Sequence, residues 1–292
     1  MKQLKFIIIG YPNKNTLDLV SEIEARNHLV SVIPLKEIVF EFSGNIFKAS
    51  WNGYDLYKAD IFIFRAYNIN IDEARILAEN LNKKNKTVLD EVLGSQFIQN
   101  KIFDASRIVQ AGLNHPRTFL ALSNASCEKI AIDLKFPVVV KPCAGQKGKG
   151  IKKIDTKKEF LEFFSKNQQK YLIQDFFNLT SDIRVIVVGS EIVGAYRRFI
   201  PKNDFRSTGK GVLSVSMKVD LILKETALAA TRAMGYDIAG VDLFEYDGKY
   251  FILEVNFTPQ WQRFKKATGI NPAKHIIDYA LRKYEENKNI MC

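Results

Sequence analysis

The chain has 292 residues, 47% of them hydrophobic, with three cysteines; this is enough to bury a core in two or three packed subdomains, and the cysteine count does not suggest a disulfide framework. Its 43 Lys and Arg against 32 Asp and Glu leave a formal charge of +11, which favours an anionic partner such as a nucleotide, an acidic peptide or a nucleic acid. No apolar run approaches the roughly 18 residues of a membrane span, and the N-terminal run is too short for a signal sequence, so the expectation is a soluble protein of a reducing cytoplasm.

In chain order, LKFIIIG is a short apolar strand ended by Gly10, followed by a helical pattern in NTLDLVSEIEARNH and a strand in LVSVIPL. That is a βαβ opening. ADIFIFRAY reads as a further strand, IDEARILAENLNKKN as a helix with Ile71, Ala74, Leu77, Ala78 and Leu81 on one face, and TVLD as a strand end. Residues 1–95 are therefore expected to form one α/β unit on a mostly parallel sheet. Gly10 lacks the three-glycine dinucleotide pattern, which weakens a nicotinamide site. From Ser95 a helix is predicted over SQFIQNKIFDASRIVQAG, with Ser95 as N-cap and Gly112 as its stop.

After Gly112 the character changes. FPVVVKPCAGQKGKGIKKI holds a buried strand, a lysine, a glycine-rich loop and a second short strand. The helix TKKEFLEFFSKNQ and the strand YLIQDFF follow, then the strands SDIRVIVVG, EIVGAYRRFI and GVLSVSM. The helix LKETALAATRAMG, the strand pair AGVDLFEYDGKYFILEVN and a last helix in NPAKHIIDYALRKYEEN complete the chain.

Strand alternation puts Ile252, Glu254 and Asn256 on one face and Phe251, Leu253, Val255 and Phe257 on the other. YDGK signals a hairpin back to the strand that carries Asp242. A connection with an odd number of residues, such as a loop over Asp247, Gly248 and Lys249, sets Asp242 opposite Glu254. A two-residue Asp-Gly turn would separate them. Two carboxylates and an amide oxygen on one face are hard donors of the kind Mg²⁺ takes alongside substrate phosphates; the alternative is an ordinary polar outer face. Lys141 ends a buried strand, and the loop after it offers unhindered backbone N–H groups to phosphate, although it lacks the P-loop spacing and could equally be a hairpin tip. Asp182, Arg184, Arg197, Arg198 and Arg206 lie on or near adjoining strands, and guanidinium forks suit carboxylates and phosphates. His28, His115 and His275 are scattered and read as structural or surface residues.

Taken in order, VVVKP, the glycine-rich loop, IQDFF, DIRVIVVG, AYRR, DFRSTGKG, AGVDLFE, LEVNFTP and ATGIN make a series that resembles the ATP-grasp superfamily, and within it the RimK-type α-glutamate ligases and their LysX-like relatives. The resemblance is collinear over residues 95–285. It implies an α/β fold: an N-terminal pre-ATP-grasp domain over residues 1–95, then a two-subdomain ATP-grasp fold over 96–175 and 176–292. By position, Lys101 and Lys141 resemble the lysines that hold the nucleotide phosphates, with 143–150 as the phosphate lid. Gln174, Asp175, Phe176 and Phe177 resemble the strand that meets adenine, and Asp182 the ribose-side carboxylate. Asp242, Glu254 and Asn256 match the family's Mg²⁺ ligands, and Arg184 and Arg206 the arginines placed for an acyl phosphate.

The implied activity is ATP-dependent carboxylate–amine ligation with ATP and Mg²⁺ or Mn²⁺ as cofactors. The implied partners are an amino acid, glutamate first, and a carboxylate on a peptide, protein or metabolite, in a chain that could form a homo-oligomer. Thr208, Val212, Gln260, Trp261 and Phe264 depart from the family pattern on the acceptor side, and Trp261 reads equally as an acceptor contact or as an anchor for the C-terminal helix. Two readings from other classes remain: a catalytically silent nucleotide-binding regulator, and a basic nucleic-acid binder, which the dispersed charge and missing signatures disfavour.

Overall fold

The computed structural model describes residues 2–65, 70–94, 100–143, 150–167, 170–207 and 212–290. The chain opens with β1 (Lys5–Ile9), α1 (Lys14–Glu24) and β2 (Leu29–Ile33). The Asn13 side chain starts α1 by accepting from the backbone N–H groups of Asn15 and Thr16. The segment 39–55, for which the sequence offered no assignment, forms an antiparallel meander of β3 (Val39–Ser43), β4 (Ile46–Trp51) and β5 (Tyr54–Asp55). Val39, Phe42 and Ile46 are solvent-exposed here, which blurs the alternation that marks a strand in sequence. Then come β6 (Ile61–Phe64), α2 (Ile71–Lys83) and β7 (Thr87–Leu89). The expected parallel sheet is present in the order β2-β1-β6-β7.

The helix expected from Ser95 is α3 (Lys101–Gln110), capped by Asn100, whose side chain accepts from the N–H of Ile102 at 2.9 Å. Ser95 lies outside the described residues. The helix ends before Gly112, whose φ of +72° suits a residue without Cβ. Next come β8 (Thr118–Ala121), α4 (Asn124–Asp133), β9 (Val138–Pro142), β10 (Lys152–Ile154), α5 (Lys157–Lys166) and β11 (Tyr171–Asp175). These four strands form an antiparallel sheet in the order β10-β9-β11-β8, with Phe160, Phe164, Val140 and Ile173 in a core of its own.

A third sheet, ordered β14-β13-β12-β15-β16, joins β12 (Ser181–Val188), β13 (Glu191–Phe199), β14 (Ser214–Met217), β15 (Ile238–Tyr246) and β16 (Lys249–Asn256), all antiparallel. It is flanked by α6 (Leu221–Met234), α7 (Gln262–Thr268) and α8 (Pro272–Ile290). Its core is shared with the N-terminal unit. Ile7, Phe62 and Leu77 pack in one cluster with Val185 and Val241, and Phe6 and Leu19 in another with Trp261 and Ile276. The sheet of β8 to β11 is therefore packed separately beside a base formed by the other two.

Trp261 is an anchor. It is fully buried, donates from Nε1 to Asp18 Oδ2 at 3.0 Å, and lies 4.5 Å from the Arg65 guanidinium, while Gln262 and Lys265 also reach Asp18. Phe264, the other bulky departure, is buried against Tyr196. Among the described residues, no helix is long and apolar enough to cross a membrane.

Candidate functional site

The turn between β15 and β16 has two residues, since Tyr246 pairs with Lys249, and Asp247 and Gly248 both have positive φ. Simple alternation after such a turn would carry Asp242 and Glu254 to opposite faces. A β-bulge prevents this. Leu243 pairs with Ile252 but Asp242 pairs with Glu254, so Leu253 is an extra residue. The predicted facing is corrected accordingly: Ile252 and Val255 point into the core, while Leu253 and Glu254 line the same cavity as Asp242. The pair forms, by a bulge and not by an odd-length loop.

That face carries a ladder of opposite charges across three strands, extended by Asn256 on a fourth. Asp182 on β12 stands opposite Arg198 on β13, which donates to both its oxygens at 2.6 and 2.7 Å; Ser207 also donates to Oδ2. Arg198 reaches Asp242 Oδ1 at 2.9 Å, and Arg184 holds both oxygens of Asp242 with its Nε and Nη2. Asn256 donates to Asp242 Oδ2 at 3.2 Å. Burial alone would raise the Asp242 carboxyl, but the two guanidiniums outweigh it and hold the pKa below the ordinary value. Gly240 makes room, because a Cβ there would come within 2.8 Å of Pro259 Cβ and 3.3 Å of Arg184 Cδ.

Ten of the predicted residues line one cavity between the second and third sheets: Lys101, Lys141, Gln174, Asp175, Phe176, Phe177, Asp182, Arg206, Asp242 and Glu254. Arg184 and Asn256 are tied to Asp242 by the bonds above and do not line it. Lys101 is the first residue of α3 and Lys141 the fourth of β9. Burial pulls the Lys141 ammonium down to about 8, with Glu254 opposing the shift and Lys101 adding to it. Phe177 packs on Phe244, Tyr246 and Phe251, and Phe176 meets Phe205 edge-on. Arg206 is paired with Asp204 at the mouth. The loop expected to cover phosphates falls mostly on 144–149, and Thr208 on 208–211; both lie outside the described residues.

Sequence reasoning missed four polar residues of this cavity. Arg198 is fixed on the site face by its register opposite Asp182, which strand alternation alone does not give. Ser207 follows Arg206 and belongs to the same ladder. Asp104, one turn beyond Lys101 on α3, lines the cavity with its carboxyl raised to about 7 by burial and then by Glu254; its i+3 spacing from Lys101 was a readable signal. His115, read as structural or surface, also lines the cavity. Its Nδ1 lies 2.7 Å from the carbonyl oxygen of Ile252, and burial lowers its pKa.

The donor types Asp242, Glu254 and Asn256 are those of a hard cation. Their arrangement is not. A carboxylate has about four lone-pair positions, and those of Asp242 are taken by Arg184 twice, by Arg198 and by Asn256. Asn256 also turns its N–H₂, not its oxygen, toward Asp242. Among these three residues, Glu254 alone faces the cavity without a hydrogen-bond partner among the described residues. As arranged, Asp242 does not fit a cation.

A family model for the RimK-like ATP-grasp domain matches residues 98–280. The chain is 32% identical over 195 residues to the glutamate–LysW ligase ArgX of Sulfolobus acidocaldarius, covering 63% of this chain and 69% of that one. It is 30% identical over 232 residues to the α-aminoadipate–LysW ligase LysX of Saccharolobus solfataricus, covering 76% and 83%. Among solved structures it resembles the ATP-grasp ligase PsnB complexed with a minimal precursor, Mg and ADP, with a TM-score of 0.76 at 16% identity over 97% of this chain and 99% of that one.

Proposed function

The chain belongs to the RimK-like ATP-grasp family, and from that premise we propose that it joins an amino acid, glutamate by first choice, to a carboxylate on a peptide, protein or small metabolite through an acyl phosphate. It is an ATP-dependent ligase that forms a C–N bond. The observation that supports the finer reading best is the meeting of Lys101 and Lys141 with Asp242 and Glu254 in one cavity that Phe176 and Phe177 also line.

In this reading Phe176, Phe177 and the backbone of 174–177 receive the adenine. Lys101 and Lys141 take the phosphates, whose charge they neutralise in a partly dehydrated site. The acceptor carboxylate attacks the γ-phosphorus, the bond to the β-phosphate oxygen breaks, and ADP leaves. The amine then attacks the acyl carbon, loses a proton, and phosphate departs with the oxygen it gained. Arg206 at the mouth and Arg198 in the cavity wall offer guanidinium donors to the anionic groups that pass there. Asp182 retains a ribose role only through its remaining lone pair, because Arg198 and Ser207 occupy the others. Residues 96–175 and 176–292 are the two halves that enclose the nucleotide. Mg²⁺ or Mn²⁺ would bring further positive charge to the phosphates; no step is assigned to it while Asp242 is closed by arginine.

The test uses a carboxylate labelled with ¹⁸O across a panel of amino acids and acidic acceptors. One labelled oxygen should appear in the released phosphate, dependent on one amino acid and one acceptor, and Glu254→Gln should abolish it. Release of unlabelled phosphate with product formed would overturn the acyl phosphate.

A further inference from the structure

Resting on the nucleotide role of Lys141 in that reading, we propose that His115 is a positioning residue that fixes the Gln174 amide so that its carbonyl holds the Lys141 ammonium. Lys141 donates from Nζ to Gln174 Oε1, while the Gln174 Nε2 group reaches Thr118 Oγ1 at 2.9 Å and His115 Nε2 at 3.4 Å. Beyond them, Thr118 Oγ1 donates to the carbonyl oxygen of Pro116 at 2.7 Å, and His115 Nδ1 meets the carbonyl oxygen of Ile252 at 2.7 Å.

The two carbonyls at the ends fix every proton between them. A carbonyl only accepts, so neutral His115, the form that burial favours, carries its hydrogen on Nδ1 and leaves Nε2 as an acceptor. For the same reason the Thr118 hydroxyl spends its hydrogen on Pro116 and accepts from Gln174. Both hydrogens of the Gln174 amide thus have acceptors, and its oxygen must face Lys141. The reverse orientation would aim N–H groups at an ammonium that has only donors.

Lys141 has three N–H donors. One goes to Gln174, which leaves two for the cavity. The chain also spans two sheets, because Gln174 and Lys141 lie on β11 and β9 while Ile252 lies on β16, two residues before Glu254. His115 therefore sets Lys141 in register with the strand that carries Glu254.

The experiment is a double-variant cycle on ADP binding, measured by calorimetry with MgCl₂ in the full chain. His115→Phe keeps the ring volume but removes the acceptor, and is expected to weaken ADP about fivefold to tenfold, the scale of a disturbed contact to a charged group. His115→Gln places an oxygen near the Nε2 position and should stay within about twofold to threefold. In a Lys141→Met background, His115→Phe should have no further effect, because the residue acts through Lys141. Equal weakening in both backgrounds, or none in the wild type, overturns the proposal. If Lys141→Met itself leaves ADP affinity unchanged, the nucleotide role of Lys141 falls and the positioning role with it. Where His115→Phe fails to fold, Thr118→Val removes the other acceptor and is read through the same cycle.

Discussion

Asp242 and Glu254 stand directly opposite each other on β15 and β16, although the turn joining those strands has only two residues. Leu253 is the reason. As the extra residue of a bulge it has no partner of its own, so removing it leaves the alternation of Ile252 inward, Glu254 toward the cavity and Val255 inward. Deletion of Leu253 should therefore leave a cooperatively folded protein, whereas deletion of Val255 should drive Asn256 into the core opposite Val241 and abolish cooperative melting. Thermal unfolding of the two variants decides it, and loss of folding in both would show that the bulge itself is required.

The Arg184–Asp242 pair is almost closed to solvent, with side-chain exposures of 13% and 11%. Breaking a buried pair from one side leaves an uncompensated charge, at a cost of about 3–5 kcal/mol. Arg198 still reaches Asp242, which places Arg184→Met near the lower end. Asp242→Asn added to that variant should recover part of the loss. Urea unfolding of the two single variants and the double variant gives the coupling; additive effects would mean the pair contributes no interaction.

Lys141 gives two opposite pH dependences. Its ammonium loses its proton near pH 8 in the folded chain, against 10.5 ordinarily. Between those values the unfolded chain binds more protons than the folded one, so folding stability contributed at this site rises with pH across that window. Nucleotide affinity should move the other way, falling as the pH passes 8 because phosphate needs the ammonium. Lys141→Arg, which stays charged, should hold ADP affinity level to about pH 10. A wild-type profile that is flat from pH 7 to 10 would contradict this.

Asp90 and Asp237 interlock the N-terminal unit with β15: each carboxylate accepts backbone N–H groups from the other's segment, at 2.7 Å for the nearest contact in each direction. Burial first, and then the charge of Asp237, raise the Asp90 carboxyl well above its ordinary value. A raised carboxyl destabilises the folded state as pH climbs from the unfolded pKa through the folded one. Asp90→Asn keeps the acceptor oxygen and tolerates the positive φ of 58° at this position. It should raise the melting temperature at pH 8, with the gain shrinking as pH falls toward 4. A lower melting temperature at pH 8 would contradict it.

The sequence by itself determined the parallel N-terminal sheet, because Phe6 to Ile9 and Ile61 to Phe64 are apolar runs that only a sheet covered on both faces can bury. Strand alternation also singled out Lys141, Asp242, Glu254 and Asn256, whereas Lys101, at the start of α3, came only from the family resemblance. Only the tertiary structure decided how the polar groups share one another. The bulge at Leu253 is a matter of register between two strands, and no single-strand pattern encodes it. Closure of Asp242 by Arg184 and Arg198 depends on β12, β13 and β15 lying side by side, and the place of His115 depends on a carbonyl 137 residues further along the chain. Trp261 was ambiguous for the same reason. A large aromatic after a strand fits a pocket or a core equally well until the helix bearing Asp18 is folded against it.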